Sequence, residues 1–497
     1  MLNKPPHVRA LIIGAGFAGL GTSIALQREG IEHVVLERAG DLGGTWRDNR
    51  YPGCKCDVPS HLYSFSYALN PDWSSTYSSQ MEIWDYLRRC AERFGVLPRI
   101  RFGTEVSEAC WDERERRWEV DTPAGRWTAD VVVAATGGLS VPAVPDLPGL
   151  DRFTGTVFHS ADWDDGHHLD GERVAVVGTG ASAVQIVPRI QPRAGRLLVF
   201  QRTPGWVLPH GDRPIRDWER ALYRRLPLLQ RLVRWGVYWS RELLVVGLCR
   251  DPRWTGPVRR LATRHLERQV PDPELRARLT PTFTPGCKRL LLSNDYYPAL
   301  TAGNVEVITE PIGEVGERSI RTADASEHEV DTIVLATGFR VTDNPTFERL
   351  RGRGGRTLAD AWRDGGMQAY LGTTVSGFPN LFLVTGPNTG IGHTSLVVMI
   401  EAQVRYVLDA LRTMAQRGLA EIEVRPEAQD AYNDELQRRM RSTVWNAGGC
   451  ASWYLDARGR NTTLWPDFTW RFQRRTRRFD ADAYELRSST GAPVALS

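Results

Sequence analysis

Two glycine-rich loops constrain this 497-residue chain more than any other feature. The first, Gly14-Ala-Gly16-Phe17-Ala-Gly19, follows the apolar run Ala10–Ile13; the second, Gly178-Thr179-Gly180-Ala-Ser182-Ala183, follows Val174–Val177. Each therefore lies between a strand and a helix-forming stretch. Glycines at this spacing permit a tight turn and let the N–H groups of a helix N-terminus approach a pyrophosphate. Two such units in one chain point to two dinucleotides held face to face.

The units differ where an adenosine ribose would sit. The strand His33–Leu36 ends in Glu37, 23 residues past Gly14. A carboxylate there accepts hydrogen bonds from ribose hydroxyls and repels a 2′-phosphate, which suits the ADP half of FAD. The strand Leu197–Phe200 ends instead in Gln201-Arg202-Thr203. A cation and a hydroxyl suit a 2′-phosphate, so the second site is expected to take NADP(H) rather than NAD.

Composition narrows the class. With 41% hydrophobic and 25% charged residues, the chain reads as globular. Its net charge of +4 is small and its basic residues are dispersed, so no nucleic-acid partner is expected. No apolar run reaches the ~20 residues of a membrane span, and the apolar N-terminal stretch is a strand rather than a signal peptide. Seven cysteines at irregular spacing make no disulfide framework, which reads as cytoplasmic. Cys54 and Cys56 are spaced neither as a zinc pair nor as a redox-active disulfide facing a flavin, and no metal site is expected. Only three of the 63 basic residues are lysines (Lys4, Lys55 and Lys288), so each lysine is informative.

The pattern along the chain predicts an α/β fold: two Rossmann-like dinucleotide-binding domains with a helical insertion. Residues 1–141 and 340–497 are expected to form the FAD domain, and 152–208 with 286–339 the NADP domain. A proline-rich linker covers 142–151 and the insertion covers 209–285. Residues 8 to about 140 read as alternating strands and helices. Two apolar strands run into small-residue turns, Thr136-Gly137-Gly138 and Thr337-Gly338, where a cofactor can approach. Near the C-terminal part, Leu381–Val384 leads into Thr385-Gly386-Pro387-Asn388 and a helix from Ser395 to about Gln416, aimed at the carbonyl end of an isoalloxazine. In the insertion, Leu229–Arg250 carries Arg, Leu and Trp at helical spacing. Interhelical packing is the simplest account; an apolar entrance or contact with a membrane surface are the alternatives.

Between the loops lies Phe153-Thr-Gly155-Thr-Val-Phe-His159-Ser-Ala-Asp-Trp163-Asp164. It resembles the fingerprint of type I Baeyer–Villiger monooxygenases, with Asp164 replacing the commoner proline. The related flavin-containing N/S-monooxygenases carry Tyr or Phe where Trp163 stands. The resemblance extends over nearly the whole chain and implies FAD and NADP(H) as cofactors. It implies conversion of a ketone to an ester or lactone with O2 through a C4a-peroxyflavin.

The resemblance also implies roles. Gly44-Thr45-Trp46, Asp57 and Tyr63 would lie along the flavin, and Arg38, Val106, Thr136 and Gly137 would join Glu37 around FAD. Lys55, Arg202, Thr203, Lys288 and Trp453 would bind NADP(H), with Lys288 on the 2′-phosphate. Arg289 would be the catalytic cation and Asp57 its partner. A cation suits the task, because anionic oxygen must be stabilised in a dry site and arginine does not lose its proton. Phe153, Gly155, His159, Trp163 and Asp164 would couple the two domains. The alternatives are a flavin N- or S-monooxygenase and a non-oxygenating pyridine-nucleotide flavoprotein reductase. A third is a non-catalytic flavoprotein whose insertion binds a membrane or partner.

Overall fold

The computed structural model describes residues 4–488. Two sheets carry the architecture. The first has the strand order Leu350–Arg351, Glu108–Asp112, Arg117–Thr122, Gly125–Ala134, His7–Ile13, His33–Leu36, Ile100–Arg101, and Leu381–Leu383 also pairs with Gly125–Ala134. Its centre is parallel: Ile13 lies beside Leu36 on one side and Ala134 on the other. Ala10, Leu11 and Ile12 are fully buried, as expected of a central strand covered on both faces.

The second sheet is wholly parallel, in the order Val305–Ile308, Arg196–Phe200, Arg173–Val177, Thr332–Leu335, Thr156–His159. In both sheets the central strand ends at a glycine loop that opens a helix, Phe17–Arg28 or Ala181–Ile190. Both loops therefore lie at the carboxyl ends of parallel strands, where ligands bind in open α/β sheets.

Two stretches depart from the alternating pattern. Glu108–Ala134 is an antiparallel meander, Trp111 facing Trp118 and Val120 facing Trp127, rather than strand–helix–strand. Ile312–Glu329 forms a separate antiparallel three-stranded sheet. Both consist of short runs joined by tight turns too brief to hold a crossover helix.

The chain passes between the sheets side by side at 141–143 and 338–340. Ala143 N–H donates to the Gly338 carbonyl (2.9 Å), and Thr337 Oγ1 donates to Ala143 O (2.6 Å). The insertion leaves through Val207–Leu208, which pairs in parallel with the returning Leu291–Leu292. Between them stand Asp217–Arg225, Pro227–Glu242, a wide π turn over Val246–Arg250, Gly256–Gln269 and Pro273–Arg278. The helix after the Thr385–Asn388 turn runs Leu396–Arg417, with Ser395 Oγ capping the Val397 N–H.

Candidate active site

A cavity of about 1120 Å³ runs from the first sheet's strand end at Thr136, Gly137 and Gly138 to the second glycine loop. That exceeds the ~300–1,000 Å³ typical for one small ligand. Thr45, Trp46, Asp57, Tyr63, Thr136 and Gly137 line its first-sheet side. Gly178, Thr179, Gly180, Ser182, Arg202, Thr203, Lys288 and Arg289 line the second-sheet side, and Trp453 lies along the wall.

The first loop is built for close backbone approach. Gly14 has φ +101°, and a Cβ there would meet the Ala135 carbonyl oxygen at 2.8 Å. A Cβ on Gly19 would sit 1.8 Å from Gly14 O. Glu37 is buried behind the loop; its carboxylate accepts from Ala15 N–H (2.7 Å), Ala39 N–H (3.0 Å) and Arg47 (3.0 Å). Arg38 donates to Ser140 O at the edge. Thr104 N–H donates to Glu37 O, which brings the buried Val106 near that strand end. Gly14, Gly16, Gly19, Glu37 and Arg38 do not line the cavity, and neither do the core residues Phe17 and Val106. Phe17 meets Tyr63 edge-on at 5.2 Å, and Trp46 Nε1 donates to Tyr63 Oη at 3.0 Å, so one aromatic unit sets the first-sheet wall.

Opposite lies an unusual turn. Thr385 and Asn388 adopt φ +68° and +55°, conformations that cost energy for residues other than glycine. The Thr385, Thr394, Thr462 and Thr463 hydroxyls are buried without partners, and all four residues line the cavity. Orphan hydroxyls beside a helix N-terminus fit the carbonyls and ring nitrogens of an isoalloxazine. In the sequence the glycine of the Thr385–Asn388 turn marks it; the hydroxyls of Thr462 and Thr463 carry no local signal.

The second loop repeats the first. Gly178 has φ +114°, and a Cβ would meet Ala336 O at 2.5 Å. Thr179 Oγ1 donates to Thr203 O (2.9 Å), which fastens the loop to the end of the next strand. Ala183 is buried in the second core rather than on the cavity. Burial and then the Arg202 charge hold the Lys288 ammonium below its ordinary range. Neither Lys288 nor Arg202 has an acidic partner among the described residues. Two cations that repel across a cavity wall form a site for a dianion, which fits the 2′-phosphate of NADP(H).

Lys55 lines the cavity as well. Its ammonium pairs with Asp212, and Gln185 brackets its backbone, accepting from Lys55 N–H (3.3 Å) and donating to Lys55 O (2.9 Å). Tyr51 Oη also donates to Gln185 Oε1 (3.1 Å). Thus the loop Tyr51–Asp57, from the first half of the chain, is docked on the helix of the second glycine loop. Cys54 and Cys56 in that loop are free thiols; burial pushes Cys54 up to about 12 and also raises Cys56.

That docking brings Asp57 to Arg289. The guanidinium makes a two-pronged pair, Nε to Oδ2 at 2.5 Å and Nη2 to Oδ1 at 2.7 Å. Burial alone would raise the Asp57 carboxyl, but Arg289 outweighs it and holds the group below the usual carboxylate range. Asp57, against the opposing cost of burial, raises Arg289 far above any accessible pH. Their side chains are 28% and 34% exposed, and both line the cavity. Tyr454, missed in the sequence, packs behind Arg289; burial pushes its hydroxyl up to about 12, so it stays protonated.

A second feature of this corner had no sequence signal. Cys287 and Cys450, 163 residues apart, form a disulfide. The odd, irregular cysteine set gave no framework, yet one pair cross-links the loop of Lys288 and Arg289 to the segment carrying Ser452 and Trp453. Trp453 is 46% exposed, its ring tilted against that of Tyr454 with centroids 4.4 Å apart.

The fingerprint segment lies outside the cavity. Phe153 packs in the second half of the molecule, and a Cβ on Gly155 would strike Asp331 O at 2.2 Å. His159 is buried at the sheet edge against Phe339; burial lowers its pKa while the Gly338 carbonyl opposes the shift. Trp163 is buried edge-on to Phe158 (4.8 Å) in a cluster with Tyr51 and Val184, and Asp164 Oδ1 accepts from Gly166 N–H. His393 is also off the wall, pushed down to about 3 by burial near Glu242.

Residues 7–233 match the flavin-binding monooxygenase-like family. A Baeyer–Villiger monooxygenase of Streptomyces coelicolor is 53% identical over 491 residues, which is 98% of this chain and 94% of that protein. Another of the same description from Pseudomonas aeruginosa is 49% identical over 98% of this chain and 93% of its own length. The NADP+-bound structure of cyclohexanone monooxygenase from Rhodococcus sp. Phi1 is similar, with a TM-score of 0.86 at 30% identity, over 98% of this chain and all of that one.

Proposed function

The chain belongs to the Baeyer–Villiger monooxygenases, within the flavin-binding monooxygenase-like family, and from that premise we infer how its own residues divide the work. It is an FAD- and NADPH-dependent enzyme that inserts one oxygen atom of O2 beside a ketone carbonyl, giving an ester or lactone. The bound flavin, reduced by NADPH, supplies the activated oxygen.

The observation that carries the assignment is the Arg289–Asp57 pair on the cavity wall beside the second nucleotide loop. Oxygen that gains negative charge as it adds to a carbonyl needs a fixed cation in a site poor in water. Arg289 supplies that cation and cannot titrate away; Asp57 fixes the plane of the guanidinium through two charge-assisted bonds. Tyr454 supports Arg289 from behind.

Gly14, Gly16, Gly19 and Glu37 would hold the ADP half of FAD, and Trp46, Tyr63, the Thr385–Asn388 turn and Thr394 would enclose its ring. Arg202 and Lys288 hold the NADP(H) 2′-phosphate, and Trp453 borders the nicotinamide and the ketone. Residues 1–141 with 340–497 serve FAD, and 152–208 with 286–339 serve NADP(H). The fingerprint couples the two halves: His159 sits beside Gly338 at the crossing, and Trp163 packs beneath the docked Tyr51 loop.

The test is a panel of cyclic and linear ketones supplied with NADPH and O2 and scored by product mass. Gain of one oxygen with ester fragmentation supports the assignment. NADPH oxidation that yields only hydrogen peroxide with every ketone overturns it.

A further inference from the structure

Helix Pro227–Glu242 is apolar on two sides. Leu229, Val233, Val237 and Tyr238 pack against the main core. On the other side Leu228, Leu232, Trp235 and Trp239, followed by Leu243, stand 40–71% exposed. Their spacing of three and four places them on one face. Of fifteen exposed large hydrophobic residues among those described, nine lie between 218 and 261, so the exposure belongs to the insertion rather than to the surface in general.

The charge of this region is equally lopsided. Residues 218–264 hold eleven arginines against Glu219, Glu242 and Asp251, a net +8 in a chain that totals +4. Two of the acids are already engaged: Glu219 with Arg213, and Glu242 with Thr469. Arg225, Arg231, Arg253, Arg259, Arg260 and Arg264 are exposed and make no ion pair among the described residues.

We infer that the insertion docks the enzyme on an anionic lipid surface, with the Leu228–Leu243 face seated at the boundary between headgroups and acyl chains. Leucine and tryptophan on one side of a helix, with arginine around it, is the composition that lies in the plane of that boundary. Acidic headgroups complement the unpaired arginines. A second copy of the chain is the poorer occupant, because a two-fold contact would set this positive surface against itself. No described helix is long and apolar enough to cross a membrane, so the contact is peripheral. Docking reaches the site mechanically: beyond the helix, Val245 and Leu248 pack with Cys287 and Trp445, directly behind the Lys288–Arg289 loop.

FAD-loaded enzyme would be sedimented with sucrose-loaded vesicles of phosphatidylcholine alone, or of phosphatidylcholine and phosphatidylglycerol in equal parts. The expected result is at least about tenfold more bound protein on the anionic vesicles, released by high salt. The variant Leu232→Gln/Trp235→Gln/Leu243→Gln should lose that binding while keeping its flavin absorbance and its NADPH oxidation in solution. Equal sedimentation of the variant, or none of the parent on either vesicle, overturns the proposal. A parent that is dimeric by light scattering, and a monomeric variant, with no vesicle binding by either, assigns the face to a second copy and also overturns it.

Discussion

Arg289 and Asp57 lie 232 residues apart and meet in a planar, two-pronged ion pair at 2.5 and 2.7 Å. Neither comes from a glycine loop. Asp57 is delivered by a loop docked on the second nucleotide helix through Tyr51 and Gln185, and Arg289 by the strand that returns from the insertion. The pair therefore exists only when both halves of the chain are assembled.

Asp57→Asn should leave FAD bound and slow ester formation by about 10–100-fold, because the guanidinium loses its fixed plane rather than its charge. The pH dependence has a definite sign. The folded Asp57 carboxyl is held below its ordinary value, first against burial and then by Arg289. Its contribution to stability is thus complete above the unfolded carboxylate range near ~4 and is lost as pH falls through the lower folded value. Thermal melting between neutral and acid pH should show a steeper acid-side fall for the parent than for Asp57→Asn.

Lys288→Ala and Arg202→Ala should each raise KM for NADPH by about 10–100-fold with little change for NADH, the outcome expected of two cations proposed to hold the 2′-phosphate. Initial rates with the two coenzymes measure this. Equal losses with both would assign the residues to general folding instead.

The two glycine loops should fail differently. Gly19→Ala places a Cβ 1.8 Å from Gly14 O and should yield protein that does not retain flavin. Gly178→Ala, with a Cβ 2.5 Å from Ala336 O, should keep its flavin spectrum and lose NADPH-driven reduction. Flavin absorbance and anaerobic stopped-flow reduction distinguish them.

The legible parts of the sequence were those whose physics is local. The glycine loops, the two Thr-Gly turns and the Leu396–Arg417 helix each need particular residues within a few positions, and the structure has them there. Pairings across distance were illegible. Glu108–Ala134 became a meander because its turns are short, a matter of pairing rather than of periodicity. The Arg289–Asp57 pair has no local signature and is implied only by the family resemblance. Tyr454, the orphan threonine hydroxyls and the Cys287–Cys450 link depend on assembly. The insertion was apolar at helical spacing, but a linear pattern does not tell a packed stripe from an exposed one; Leu229 and Leu228 are neighbours with opposite fates.

The disulfide gives an independent check on the corner of the site. Under denaturing, non-reducing conditions five of the seven cysteines should react with a thiol reagent. Cys450→Ser should lower stability by about 2–4 kcal/mol. It should also raise KM for NADPH more than it lowers kcat, because Trp453 and Lys288 lose their common tether.

The central claim is that Arg289 serves oxygen transfer and not flavin reduction. Arg289→Ala, given NADPH, O2 and an accepted ketone, should still oxidise NADPH and reduce its flavin at a measurable rate. Its ester yield should fall by at least ~10²–10³, the usual cost of removing an oxyanion-stabilising donor. Product mass analysis beside anaerobic flavin reduction reads both steps in one preparation. Ester formed by Arg289→Ala at the parent rate would contradict the account.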